Sequence, residues 1–311
     1  MTNPFDDIAV MGAGAVGCYF GAMLARAGTK VRLIGRPAFV EAVSHDGLRF
    51  ESGGVTERIA VAATSDPAGV ARAGLVLFCV KSPDTAQAAR AMPPHLAPGA
   101  VVLDLQNGVD NAERLRTTIQ NPVVAAVVYV SAEIPAPGVV RHNGRGDLVI
   151  GEPAPRRADP AMVADLAAFL GHAKIPTRVS DNIDGELWIK LILNCAYNAI
   201  SALGRYRYGP MMALPEIRLV MRDAVTEIVA LAQAKGVRLA AADPVAAMFA
   251  LGDTLPEAMS STAQDLSRGR PTEIDDLNGY VVRESDAHGL PAPVNRTLHA
   301  LVKLLEQARS G

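Results

Sequence analysis

The rhythm of apolar and polar positions changes part-way along the chain. Up to about residue 180, short apolar runs of strand type alternate with amphipathic stretches of helical period. Ile8–Gly12 is a β-type run that breaks into Gly12-Ala13-Gly14-Ala15-Val16-Gly17. Cys18–Ala27 then reads as a helix stopped by Gly28, and Lys30–Arg36 as a second strand. Phe39–His45 reads as helical, with short strands at Leu48–Phe50 and Arg58–Ala62 around Gly53-Gly54. The alternation continues through strand Leu75–Lys81, helix Thr85–Met92, strand Val101–Gln106 and helix Asn111–Ile119. Val123–Val130, Val139–Arg141 and Asp147–Ile150 read as strands, with turns at Pro137-Gly138 and Asn143-Gly144. Helix Pro160–His172 and strand Thr177–Ser180 close this half.

From Asn182 to Arg309 helical periodicity dominates. It predicts helices over Glu186–Gly204, Pro215–Lys235, Ala240–Phe249, Ser261–Arg268, Thr272–His288 and Asn295–Gln307. The expected architecture is α/β: an N-terminal Rossmann-type dinucleotide-binding domain over 1–180, followed by an all-α C-terminal domain over 181–311.

Strand, glycine-rich turn, helix and second strand within about 30 residues form a dinucleotide-binding unit. Gly12 permits the tight turn, Gly14 lets backbone approach a pyrophosphate, and Gly17 lets helix and strand pack closely. Ala13, Ala15 and Val16 complete the turn, whose N–H groups face the phosphates at the helix N-terminus. The second strand ends Leu33-Ile34-Gly35-Arg36, without the acid that would bond a ribose 2′-hydroxyl. Arg36 instead offers a planar donor fork to a 2′-phosphate, so NADPH/NADP is the expected cofactor. Lys81 and Asn107 fall at the carboxyl ends of later strands, where ligands of open α/β sheets bind.

In Glu186–Gly204, about five turns of apolar sequence, Lys190, Asn194 and Asn198 recur every four residues and share one face. A lysine on a helix buried nearly all round must meet an anion, a ligand or water. The plainer alternative is a polar seam between packed helices or a lysine reaching out to solvent. A second polar island, Ser260–Asp265, leads to Arg270–Gly279. Read locally, Glu273 is a first-turn helix acid after Pro271.

Composition narrows the partners. Of 311 residues, half are apolar, with a net charge of −2 and pI near 6.3, which gives no general attraction to nucleic acid or an anionic membrane. No uninterrupted apolar segment approaches a membrane span, and the acidic start does not read as a signal peptide. Cys18, Cys79 and Cys195 lie in apolar segments, as small core residues of a reducing cytoplasm would. The six histidines show no metal-ligand spacing, so no metal is expected.

The chain resembles the ketopantoate reductase family (2-dehydropantoate 2-reductases). The resemblance rests on Gly12-x-Gly14-x-x-Gly17, Arg36, Val80-Lys81, Gln106-Asn107-Gly108, Lys190-x3-Asn194-x3-Asn198, and Ser261-x3-Asp265 ahead of Thr272-Glu273-Ile-Asp275. It implies NADPH-dependent reduction of a 2-oxo acid to a 2-hydroxy acid, in a cleft between the domains. It further implies that Lys190 donates a proton to the carbonyl oxygen, while Asn194, Asn198 and Ser261 bind substrate. Lys81, Asn107, Ala132 and Glu273 match cofactor contacts, Asn107 touching substrate as well. Two positions depart from the family pattern, Tyr208 and Ala258 standing where its first-described members have asparagines. They leave room for a different branched or aromatic 2-oxo acid, as in D-2-hydroxyacid dehydrogenases. A non-catalytic NADP(H)-binding regulator is the third alternative, and a homodimer and a monomer are equally compatible with the sequence. Arg205 and Arg207 suit a surface role.

Overall fold

A computed structural model describes residues 4–155 and 158–308. The first three residues of the acidic start, and Arg309 at the expected end of the helical pattern, lie outside them. The chain forms two compact units, Met1–Gln106 with Asp110–Ile183, and Asn107–Val109 with Asp184–Gly311.

The first unit runs β1 (Asp7–Met11), α1 (Ala15–Arg26), β2 (Lys30–Ile34), α2 (Pro37–Asp46), β3 (Leu48–Ser52), β4 (Val55–Ile59) and β5 (Ala62–Thr64). It continues with β6 (Leu75–Phe78), α3 (Thr85–Ala91), β7 (Val101–Asp104), α4 (Asn111–Arg116), β8 (Val123–Ala136), β9 (Val139–Gly151), α5 (Pro160–His172) and β10 (Thr177–Val179). Its strands form one sheet in the order β4-β3-β9-β8-β7-β6-β1-β2-β5, with β10 on β9. β1, β2, β5, β6, β7 and β8 pair in parallel. That order places a topological switch between β1 and β6, where open α/β sheets hold ligands. β6 and β7 are buried at every position, as parallel strands covered on both faces require.

The β8–β9 ribbon is antiparallel and longer than its apolar runs suggest. Asn143-Gly144, read as a turn in the sequence, lies instead inside β9. The ribbon absorbs Gly144 and Gly146 through register shifts, and Arg145 takes a positive φ of 54°.

The second unit comprises α6 (Ile183–Gly204), α7 (Tyr208–Met212), α8 (Pro215–Ala234), α9 (Pro244–Thr254), α10 (Ser261–Ser267), α11 (Asn278–Ala287) and α12 (Pro293–Gln307), the first residue of α6 still grouping with the first unit. α6 is long and apolar enough to cross a membrane by length and composition, yet it forms the core of this unit. Trp188, Leu191, Ile192, Cys195, Ala196 and Ala199 on it are all buried. A buried amide network ties neighbours to it. Asn278 Nδ2 donates to Cys195 O (3.2 Å) and Asn295 Oδ1 (2.9 Å), while Asn295 Nδ2 donates to Ala224 O (3.1 Å) and Glu227 (2.7 Å). Four helices, α6, α8, α11 and α12, thus meet through three polar side chains.

Candidate active site

In the first unit, the residues after β1 form a tight cradle. Gly12 has φ +104°, and a Cβ there would lie 2.6 Å from Val80 N, beyond the end of β6. A Cβ on Gly17 would overlap the Gly12 carbonyl, so α1 can approach β1 only with glycine there. Gly14 is different: a Cβ there would meet nothing within 4 Å. The N–H groups of Gly12 and Ala13 both donate to Ile34 O (3.1 and 3.0 Å), which fixes the turn against the end of β2. Ala15, Val16 and Gly17, the first residues of α1, have no acceptor within the helix for their N–H groups. Closed around Gly12 and Gly17 and open beside Gly14, this cradle fits a dinucleotide pyrophosphate.

Arg36 caps the start of α2, just past β2. Its side chain is exposed and makes no hydrogen bond or ion pair among the described residues. Lys81 is exposed at the start of a short 3₁₀ turn after β6. Ala132 is half-buried in β8, opposite His142.

Two polar groups beneath this face carry no sequence-based role. Gln106 Nε2 donates to Val80 O (2.8 Å) and Thr85 Oγ1 (2.7 Å), holding the segment that carries Lys81. Its Oε1 is buried without a partner. Asp104, 5% exposed, accepts the Gln106 N–H at 3.1 Å. Burial pushes its carboxyl up to about 7, against the lowering effect of that hydrogen bond. The signal in the sequence is an acid inside an apolar strand, Val101-Val-Leu-Asp104.

In the second unit, Lys190 and Asn194 are half-buried and Asn198 is 3% exposed on one face of α6. Asn107, just beyond β7, groups with this unit and donates through Nδ2 to Glu273 Oε2 at 3.0 Å. Glu273 is not in the first turn of a helix. α11 starts at Asn278, and Glu273 begins an irregular turn whose carbonyl accepts from Asp276 and Leu277. The helix is delayed because Thr272 is held elsewhere. Its N–H and Oγ1 both donate to Glu306 Oε1 on α12 (2.8 and 2.7 Å), and Oγ1 accepts the Ile274 N–H (3.2 Å). Lys303 bridges Asp275 and Glu306, and His299 meets Asp275. Burial opposes ionisation of Asp275 and Glu306, yet these hydrogen bonds and charges outweigh it and hold both carboxyls below their usual range.

Ser261 is the exposed first residue of α10, directly after the buried Ser260. Ser260 Oγ donates to Asn198 O (3.2 Å) and accepts the Ala263 N–H (3.1 Å), capping α10 against α6. The two departing positions also meet, the Tyr208 N–H donating to Ala258 O at 3.0 Å. The Tyr208 ring packs 4.4 Å from that of Tyr197, and its hydroxyl has no hydrogen-bond partner among the described residues. Arg205 and Arg207 are exposed, Arg207 bonding Glu257 O.

The sequence profile described as Ketopantoate reductase PanE/ApbA matches residues 8–155, and its C-terminal counterpart matches residues 182–306. The chain belongs to the ketopantoate reductase family. Within that family, a 2-dehydropantoate 2-reductase of Halobacterium salinarum is 37% identical over 308 residues, spanning 96% of this chain and 99% of its own. The crystal structure of a PanE/ApbA family ketopantoate reductase from Ralstonia eutropha JMP134 is 51% identical. It superposes with a TM-score of 0.90 over 98% of this chain and 100% of its own. The fold is shared more widely: a D-mandelate dehydrogenase with NADH and anilino(oxo)acetate has a TM-score of 0.90 at 22% identity, over 98% and 100%.

Proposed function

We propose that the chain is an NADPH-dependent reductase that converts 2-dehydropantoate to pantoate, a step of pantothenate biosynthesis. Residues 1–180 would bind cofactor and 181–311 substrate, with Asn107 lent to the helical part. The Gly12–Gly17 turn would hold the pyrophosphate, with Arg36 on the 2′-phosphate. Lys81, Asn107, Ala132 and Glu273 would contact the ribose and nicotinamide end. Bound there, the cofactor supplies the hydride that adds to the carbonyl carbon.

The remaining work falls to this chain's side chains. As hydride adds, negative charge gathers on the carbonyl oxygen. The Lys190 ammonium stabilises that charge and gives its proton to the oxygen, leaving a hydroxyl. Asn194, Asn198 and Ser261 orient the substrate, and amide and hydroxyl groups can hold its carboxylate without a second cation competing with Lys190. Asn107, hydrogen-bonded to Glu273, has its amide orientation fixed for contact with cofactor and substrate.

The observation that carries this reading is the Lys190–Asn194–Asn198 stripe on a helix whose other faces build the apolar core of its unit. A non-catalytic nucleotide sensor has no use for it. The test is the loss of NADPH absorbance on adding ketopantoate and a panel of other 2-oxo acids. Turnover on ketopantoate is expected, and NADPH binding without turnover on any of them would sink the proposal.

One observation favours a second reading. The Tyr208 ring, tilted against Tyr197 with its N–H bonded to Ala258 O, puts an aromatic surface where the family's first-described members have polar groups. A larger apolar or aromatic 2-oxo acid would then outrank ketopantoate in the same panel. Among the described residues all three cysteines are free thiols, which suits the cytoplasm as the proposed compartment.

A further inference from the structure

Ser201 lies on the same face of α6 as the polar stripe. It is eleven residues beyond Lys190, which is roughly three turns along the helix and about 20° round. Its hydroxyl is wholly buried and engaged by two backbone groups of the protein, so it serves the protein and not a ligand. Its Oγ donates to Tyr206 O at 2.8 Å and accepts the Ser260 N–H at 3.4 Å. Ser260 in turn reaches back to Asn198 O through its own Oγ. Beside this pair, Tyr208 and Gly209 donate to Ala258 O and Pro256 O, at 3.0 and 2.8 Å. Three segments therefore converge on one hydroxyl: the last turns of α6, the bend at 206–209, and the chain at 256–261.

We propose that Ser201 is a positioning residue, which through Ser260 sets the spacing between Asn198 and Ser261 and hence the fit of the substrate carboxylate. This rests on the reductase reading above, which assigns both groups to the substrate. A carboxylate can bond both groups only when their separation is right. An error in that separation weakens the hold on the carboxylate equally in the bound substrate and in the transition state, which appears in KM. The Ser201–Ser260 bond is long, but both residues are buried, and no water can replace it without rearrangement. Ser201 is remote in sequence from every cofactor-binding position and transfers no proton. Its effect belongs on substrate KM alone.

Ser201→Ala, Ser201→Thr and Ser260→Ala in the full chain test this. Ser201→Ala is expected to raise KM for the 2-oxo acid roughly tenfold, with kcat within about twofold. NADPH affinity, read by fluorescence titration, stays unchanged. Ser260→Ala keeps the N–H bonded to Ser201 but removes the hydroxyl that reaches Asn198 O, so it cuts the path at its far end and should also raise KM, while Ser201→Thr keeps the hydroxyl and restores KM. Amide hydrogen exchange over residues 258–263 should quicken in Ser201→Ala and not in Ser201→Thr. Unchanged KM and exchange in Ser201→Ala overturn the link. So does a parallel loss of kcat, NADPH affinity and thermal stability, which would mark general loosening. A wild-type chain inactive on every 2-oxo acid refutes the reductase reading, and the substrate role of Ser201 with it. Unchanged exchange and KM beside an active wild type refute the Ser201 link alone.

Discussion

The two units present their polar groups by opposite means. In the α/β unit the candidate site is made of backbone: a glycine turn, the N–H groups opening α1, and residues at strand ends. In the helical unit it is made of side chains standing on the middle of a core helix, held by further side chains behind them. Ser260 caps against Asn198, Glu306 holds Thr272 beside Glu273, and Asn278 reaches the α6 backbone. A backbone site is damaged by atoms added to it. A side-chain site is damaged by atoms removed.

Removal should have the largest effect at Lys190. With Lys190→Ala, kcat is expected to fall roughly a thousandfold, since both charge stabilisation and proton donation go. Nucleotide affinity should stay within about twofold, because the cradle of the other unit is untouched. Steady-state kinetics beside a binding titration separate the two, and unchanged turnover would remove Lys190 from the mechanism.

Addition is tested by a pair of alanines. Gly12→Ala puts a Cβ within 2.6 Å of Val80 N at a φ of +104°, a strain on the order of 2–4 kcal/mol, and thermal melts should show it without any ligand. Gly14→Ala adds the same methyl to open space. Its melting temperature should stay within about a degree or two of wild type, and only NADPH affinity should fall. Equal damage to stability from both would mean that the opening beside Gly14 has nothing to do with a ligand.

Asp104 sharpens the contrast, as a side chain buried beneath the backbone site. Its pKa is raised from 3.8 to about 7, so between those values the folded state keeps a proton that the unfolded chain has released. Stability from this group is therefore full at low pH and lost as pH rises to about 7. Asp104→Asn keeps an acceptor for the Gln106 N–H but cannot ionise. Its stability relative to wild type should climb by on the order of 4 kcal/mol between about pH 4 and pH 8, then level off. Denaturant unfolding across that range reads the difference; a constant offset would show that Asp104 is not the titrating group.

What the sequence made legible follows the same division. Glycine spacing after β1 and the four-residue recurrence on α6 are local patterns, and each can be read without knowing what packs against it. Glu273 defeats local reading. Pro271-Thr272-Glu273 has the form of a helix start, but Thr272 spends its N–H and hydroxyl on Glu306, and the helix begins at Asn278. Asn143-Gly144 reads as a turn for a similar reason. The glycine signal is real, but pairing along β8 carries the chain through it as an irregular strand. Ser201 gives no signal, and Ser260 shows only as the start of a polar island, because the importance of both lies in a bond between residues far apart in sequence. Partners chosen by tertiary folding leave no period to detect.

The smallest expected effect lies at Arg36, where the backbone site borrows a side chain. Because Arg36 is exposed, water screens it, and one or two charge-assisted hydrogen bonds to a 2′-phosphate should contribute about 1.5 kcal/mol. Arg36→Ala is accordingly expected to weaken NADPH binding about tenfold and leave NADH almost unaffected. The ratio of the two dissociation constants is the measurement, since any general damage to the Gly12–Gly17 turn moves both alike. The difference should also shrink as salt is added, because a screened contact to a dianion depends on ionic strength while the buried cradle does not. A ratio indifferent to both the substitution and the salt would return Arg36 to the solvent-facing surface and leave cofactor choice to the backbone alone.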